Sequence, residues 1–449
     1  MTPPGGSRLP LAERLLRLAA AEGASEAEVL VMATDAALTR FANSEIHQNV
    51  AETDVVANLR FVVGRRVGVA SSGRLDGDGL RSLAETAGRI ARVQPELDDP
   101  VVLPEPGPIP DVAGAWSEAT AGATPERRAD AVGQVIADAD TAGVLAFGSF
   151  STSTDGLAVA NSRGVRAEQV TTQARLITIC MGPDGEAGYA EALAVDVTAI
   201  DPSTVGREAA ERAVRSRAPA ILHPGVYPVV LEPYAVVDLL DWIGGLGFSA
   251  LSVEEGRSFY EPGRKIASQL VSTWDDAADP AGTPTAFDYE GVAKQRVPLI
   301  ERGVCAGLVY DAATGGRAGR RSTGHGLPAP NTYGPLPTNQ FMAPGDTAPE
   351  ELLAGMRRGL LVTRFNYTNP VHPKRAIVTG MTRDGTFLVE HGEIVGPVRN
   401  LRFTQSYLDA LAAVEAVGRE RRLLAGELGS CVVPGLRIAA WDFTGAAEH

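Results

Sequence analysis

Residues 55–72, "VVANLRFVVGRRVGVASS", constrain the fold more than any other stretch of the chain. Val and Phe crowd onto both sides of a Gly-Arg-Arg interruption, and β-branched and aromatic residues pack best on a pleated surface. Short apolar runs broken by glycine are too brief for a helix of several turns, yet they can pair across a tight turn. The pattern recurs in "AEVLVMA", "LTRFANSEIHQNV", "VLAFGSFSTS", "GLAVANSRGVRAEQV" and "ARLITICMG". With 49 Gly and 30 Pro in 449 residues, turns are dense enough to predict extensive antiparallel sheet.

Helical spacing interrupts these strands at intervals. "LAERLLRLAAA" follows Pro10, places Leu11, Leu15 and Leu18 on one face and stops at Gly23. "GLRSLAETAGRIARV" can be capped by Asp76 or Asp78, "TPERRADAVGQVIADADTAG" by Thr124, and "DPSTVGREAAERAVRSR" by Asp201 or Ser203. Residues 95–110, "PELDDPVVLPEPGPIP", are dense in Pro and Asp and read as a linker. Ala-Asn-Ser occurs in both "FANSEI" and "VANSRGV". Each reads as a turn between strands; as a repeat, the pair would imply two similar subdomains joined by the Pro-rich linker. Residues 1–218 are thus expected to form an N-terminal α/β domain of helices on mixed sheets.

Residues 219–449 have a different character. "HPGVYPVVLEP" reads as a strand, and Pro233 opens a helix through "YAVVDLLDWIGGLGFSAL". "APEELLAGMRRGLLV" and "TQSYLDALAAVEAVGRERRLL" read as helices, the second beginning at Thr404 or Ser406. "RDG" at 383–385 and "HG" at 391–392 sit between apolar runs as hairpin turns do. Glu390 and Glu393 flank the second turn, where alternation turns them outward, so the cluster reads as a charged hairpin tip. The expected class is α+β: the N-terminal α/β region, then a β-rich, antiparallel, sandwich- or barrel-like C-terminal domain.

A net charge of −14 disfavours nucleic acid. The short clusters Arg317, Arg320, Arg321 and Arg419, Arg421, Arg422 read as solvated faces. Cys180, Cys305 and Cys431 lie far apart without CxxC spacing, which argues against a disulfide framework and favours a reducing, cytoplasmic setting. Glu13, Arg14 and Arg17 break the N-terminal apolar stretch, so no signal peptide is expected, nor a membrane span.

No HExxH, GxSxG, GxGxxG or GxxxxGK[ST] occurs, and the six histidines are scattered. Two candidates remain. His325 with Cys431 or Cys305 could form a nucleophile–base pair through space. The loop "RRSTGHGLPAPNTYG", residues 320–334, gathers hydroxyls, Arg, His and Asn among glycines. Its Arg321, His325 and Asn331 are candidates to line a substrate chamber; the alternative is an ordered loop whose side chains cap backbone.

Taken together, "GRRVGVASS", "ANSRGV", "SALSVEEGRSFYEPGRKIAS", "FDYEGVAKQRVPLIERGV", "RRSTGH", "MAPGDTAPEELLAGMRRGLLVT", "GTFLVEHGEIVGPVRNLRFT" and "CVVPGLRIA" resemble the TldD/PmbA family, once called modulators of DNA gyrase. TldD-like members resemble zinc proteases with HExxxH on a helix and a cysteine near the C-terminus. In this chain the equivalent helix reads "DWIGGL". Asp241 stands for the first His, Trp242 for the Glu and Leu246 for the second His, while Cys431 lies near the family's cysteine.

The resemblance therefore points to the PmbA (TldE-like) branch. It implies a subunit with no metal or other cofactor and no catalytic residue of its own. Such a subunit pairs with a TldD-like HExxxH zinc protease, or with itself, and acts on unfolded peptides, without nucleic acid or membrane. Two other readings stay open: an independent hydrolase near His325 and Cys431, and a homodimeric peptide-binding or regulatory protein.

Overall fold

The Val- and Phe-rich runs pair into two sheets. The computed structural model describes residues 6–446. The first sheet contains β1 (Glu26–Ala42), β2 (Glu45–Val63), β3 (Arg66–Ser72), β4 (Leu145–Asn161), β5 (Arg166–Met181) and β6 (Ala187–Ala194), in the order β3-β2-β1-β4-β5-β6. Its strand pairs are all antiparallel, so this sheet is not mixed as expected. Four of the five pairs are hairpins between consecutive strands, and the long connection from β3 through α2 (Gly77–Val93), α3 (Glu118–Ala121) and α4 (Pro125–Ala142) returns β4 antiparallel to β1.

Four helices cover one face: α1 (Leu9–Ala21), α2 (Gly77–Val93), α4 (Pro125–Ala142), after the single turn α3 (Glu118–Ala121), and α5 (Pro202–Arg215). Asp76, Thr124 and Asp201 are the caps used. Both Ala-Asn-Ser stretches end a strand at a hairpin: Asn43 and Ser44 sit at φ 51° and 59° between β1 and β2, and Asn161 closes β4. The sheet's two edges meet their helices in the same way. A Cβ on Gly68 of β3 would lie 2.1 Å from Ala87 O, and one on Gly188 of β6 would lie 2.2 Å from Ala209 O. Residues 95–110 run as irregular chain, with Pro104 O accepting from Asn161 Nδ2 at 2.8 Å.

The second sheet has eleven strands and is mixed. Its elements are β7 (Gly225–Leu231), α6 (Pro233–Gly247), α7 (Ala250–Glu254), β8 (Thr273–Asp275), β9 (Val297–Glu301), β10 (Val304–Cys305), α8 (Ala312–Arg317), β11 (Asn339–Met342), α9 (Pro349–Ala354), β12 (Arg358–His372), β13 (Ile377–Glu390), β14 (Glu393–Pro397), β15 (Leu401–Ser406), α10 (Tyr407–Ala412), β16 (Val414–Ala425) and β17 (Ser430–Ala446). The path β17-β15-β13-β12-β7 returns to β17, so these strands close on themselves. Helix α6 is apolar nearly all round and packs into the largest core, with Leu239, Leu240 and Ile243 buried among Phe365, Phe403 and Trp441.

Three local expectations differ from the structure. "VEAVGRERRLL" was expected as helix but forms β16, and "RRGLLV" enters β12. Both are taken by the ladder: β16 pairs with β17, and β12 pairs with β13 and β7, which overrides weak helix propensity. Arg-Asp-Gly 383–385 is not a hairpin turn. It is an irregularity inside β13, opposite a register shift in β12, with Asp384 and Gly385 at positive φ. His391-Gly392 is the turn between β13 and β14, at φ 52° and 82°.

Candidate functional site

The sheet face opposite the four helices looks toward the second sheet, and two adjoining cavities of about 700 and 520 Å³ lie there. Arg175, Ala425 and Gly426 line both, so the segment running from β16 to β17 forms the wall between them. Gly426 is required at this wall, because a Cβ there would meet Asp241 Oδ2 at 2.4 Å.

The larger cavity is floored by Thr34 of β1, Leu157 of β4 and Thr171 and Gln173 of β5, and roofed by Thr283, Lys294, Thr338 and Asn339. Its polar lining is mostly neutral hydroxyl and amide. Behind it His325 is buried with both ring nitrogens engaged: Nε2 lies 2.9 Å from Asp275 Oδ1 and Nδ1 lies 2.9 Å from Thr323 Oγ1. Burial and the nearby Lys294 ammonium push the imidazole below its ordinary value, so it is neutral. Burial opposes charge on Asp275, but His325, Lys294 and the Asn339 N–H at 2.7 Å outweigh it and hold that carboxyl below the ordinary range. Nε2–H therefore donates to an ionised Asp275.

Of the three loop candidates only His325 lines a cavity. Arg321 is exposed, and Asn331 caps its own turn by donating to Gly334 O and accepting from Tyr333 N. The loop is pinned at Gly324, φ 75°, where a Cβ would strike Ala293 O at 2.4 Å. His325 lies inward of that point and Arg321 outside.

The smaller cavity is bounded by Tyr189, Glu191, Tyr234, Asp238, Asp241 and Arg364. The Arg364 guanidinium lies 4.4 Å from the Tyr189 ring centroid and donates to Asp384 at 2.7 Å. Asp238 accepts from Tyr407 Oη at 2.6 Å and Thr368 Oγ1 at 2.5 Å. Burial raises its carboxyl to about 6 in spite of those bonds. Asp241 accepts from Glu427 N at 2.7 Å and Gln340 Nε2 at 3.3 Å, and burial raises it to about 7.

Asp241, Trp242, Leu246 and Cys431 are the residues that the sequence resemblance sets in place of a zinc motif. Asp241 and Cys431 are brought together, with Sγ 3.9 Å from Asp241 Oδ1. Burial, then Asp241, push the thiol well above its ordinary value, so in this structure it is a protonated thiol. Trp242 spends its indole N–H on Thr368 Oγ1 at 3.1 Å, and Leu246 packs into the core. Among the described residues no group of three or more His, Cys, Asp or Glu converges as metal ligands. This donor set does not fit zinc. Nor do His325 and Cys431 meet: the imidazole is committed to Asp275 and Thr323, the thiol to Asp241.

Family models match three stretches of the chain: PmbA/TldA metallopeptidase domain 1 over residues 27–91, the central domain over 121–217 and the C-terminal domain over 224–445. The chain belongs to the PmbA/TldD metallopeptidase family. A metalloprotease of Methanothermobacter thermautotrophicus is 27% identical over 248 residues, 54% of this chain and 53% of that protein. A zinc metalloprotease TldD homolog of Saccharolobus solfataricus is 24% identical over 215 residues, 45% and 46% of the two chains. The chain thus spans about half the length of the curated relatives it matches.

The PmbA/TldD fold is shared with TldE from Thermococcus kodakarensis, at TM-score 0.88 and 20% identity over 97% of this chain and 100% of that one. It is also shared with a candidate modulator of a DNA gyrase from Thermotoga maritima, at TM-score 0.85 and 20% identity over 98% and 100%. Sequence reasoning missed Asp238, Asp275 and Lys294 as site residues, although Lys294 lies within "FDYEGVAKQRVPLIERGV". Only the rarity of lysine in the chain could have singled out Lys294.

Two further facts bear on partners. No helix among the described residues is long and apolar enough to cross a membrane. The arginine clusters are not simply solvated: Arg317 pairs with Glu254 at 2.7 Å, and Arg422 reaches Glu208 on α5 at 2.7 Å with its guanidinium 4.8 Å from the Tyr234 ring. Arg422 is held there because β16, a strand and not a helix, carries it to α5.

Proposed function

We propose that this chain is the metal-free, TldE-like subunit of a two-subunit metallopeptidase that acts on unfolded or flexible peptides, with the zinc chemistry on an HExxxH partner. The observation that carries this reading is the pair of adjoining cavities beside a helix whose motif positions are occupied by Asp241, Trp242 and Leu246. Neutral hydroxyl and amide groups can pair with the backbone of any extended peptide without selecting its side chains. A chamber lined this way suits a substrate defined by being unfolded. The likeness to a TldE fold and to relatives named metalloproteases supports the assignment. The partner surface is expected in the obligate range, roughly 2,000 Å² or more.

The test is co-expression with an HExxxH homologue from the same cell, followed by metal analysis and hydrolysis of a long unstructured peptide. Zinc is expected to follow the partner, and cleavage to require both chains. If the isolated chain holds about one zinc tightly and loses it on Cys431→Ala, the metal-free reading fails.

A further inference from the structure

Lys294 has donors that nothing among the described residues uses. Lys265, Lys294 and Lys374 are the only lysines among 41 Lys and Arg. Arginine makes the ion pairs found among the described residues, apart from the His325–Asp275 contact. A compact ammonium at this one place on the cavity wall is therefore a departure from the chain's own habit.

Lys294 is half-buried, and Nζ donates to Thr338 Oγ1 at 3.0 Å. An ammonium has three donors, so two stay open toward the larger cavity. Among the described residues no carboxylate oxygen lies within 4.0 Å of it. The two carboxylates that feel its charge, Asp275 and Asp288, are already committed. Asp275 accepts from His325 and Asn339 N, and Asp288 from the backbone N–H groups of Glu290, Val292 and Gly326. Both carboxylates spend their lone pairs on those other donors, so a ligand anion is the group that can take up the two open ammonium donors. Thr283 and Ser430, whose hydroxyls lie 2.8 Å apart, line the same cavity and can share the load.

We infer that Lys294 is an anchor for a carboxylate of the bound peptide. The chamber then reads one position of an otherwise unselected extended chain. This rests on the peptide-chamber reading above. The carboxylate could be the peptide's C-terminus or an Asp or Glu side chain, which present the same chemistry to an ammonium.

The experiment uses the full chain and one fluorescent unstructured peptide in four forms: C-terminal acid or amide, each with an internal Glu or Gln. Anisotropy titrations are run with the wild type and with Lys294→Gln, alongside melting temperatures. Removing the anchoring carboxylate is expected to weaken wild-type binding about tenfold. Lys294→Gln is expected to bring all four forms to the weaker level. A loss in the amide arm assigns the terminal carboxylate, and a loss in the Gln arm the side chain. Equal binding of all four forms to the wild type overturns the inference, as does a preference that survives Lys294→Gln. The wild-type comparison stands alone if the variant folds poorly. If no form binds at all, the peptide-chamber reading falls, and this inference with it.

Discussion

Asp241→Asn should change the sign of its effect on stability between pH 4 and pH 8. Asp241 is buried, without a cation among its hydrogen-bond partners, and its carboxyl is raised from 3.8 to about 7, chiefly by burial. For an acid raised in this way, below about pH 4 the folded and unfolded chains both carry the proton and the site costs nothing. Between about pH 4 and 7 the unfolded chain has lost the proton and the folded chain keeps it, so stability falls as pH rises. Above about pH 7 the folded chain ionises too, and the full penalty is in place. At about 1.4 kcal/mol per pH unit it amounts to about 4 kcal/mol at most. Asparagine keeps the shape and an acceptor for Glu427 N but never ionises. It should cost about 1–2 kcal/mol near pH 4, where the site carries almost no ionisation penalty and Asn replaces a neutral acid with a slightly poorer hydrogen-bond partner. At pH 8 it should be more stable than the wild type by about 2 kcal/mol, the difference of those terms. Calorimetric melting of both proteins across this range measures the effect. A melting difference that is constant with pH would refute the argument, because it would mean that Asp241 ionises normally where it lies.

Other perturbations separate scaffold from site. His325→Ala should lower stability by about 2–4 kcal/mol by removing one hydrogen bond to the buried Asp275 carboxylate and leaving a cavity; an unchanged melting temperature would show that this pair is not holding the cavity wall, and turnover in the reconstituted pair tests its functional share. Trp441→Ala should cost about 3–5 kcal/mol, because its ring is fully buried against Phe365 and Phe403 with centroids at 4.9 and 5.3 Å; urea melts read it. Arg422→Ala should cost about 1–2 kcal/mol, since its ion pair with Glu208 is half-buried and so partly screened, and the loss should shrink at high salt if the pair is electrostatic.

Local chemistry was legible wherever one residue type decides the backbone. Asp76, Thr124 and Asp201 cap helices because their side chains reach N–H groups two or three residues on, a contact that needs no distant partner. His391-Gly392 makes a turn for the same local reason. The apolar face of α6 was legible too, since period and composition alone demand burial. The family resemblance drew attention to Asp241 and Cys431, which lie together in the fold, and spacing alone ruled out a paired-histidine helix.

The sheet partners and the cavities were settled only in three dimensions. "VEAVGRERRLL" has no strong preference of its own, and its conformation follows from the edge that β17 offers. Arg321 and His325 lie four residues apart in one loop, yet one is exposed and the other buried, where Asp275 and Thr323 take up both of its ring nitrogens. Lys294, Asp275 and Thr338 gather at one wall from separate parts of the chain. A sequence carries propensity and pattern residue by residue, whereas desolvation and unpaired charge arise only once distant segments exclude water from a shared space.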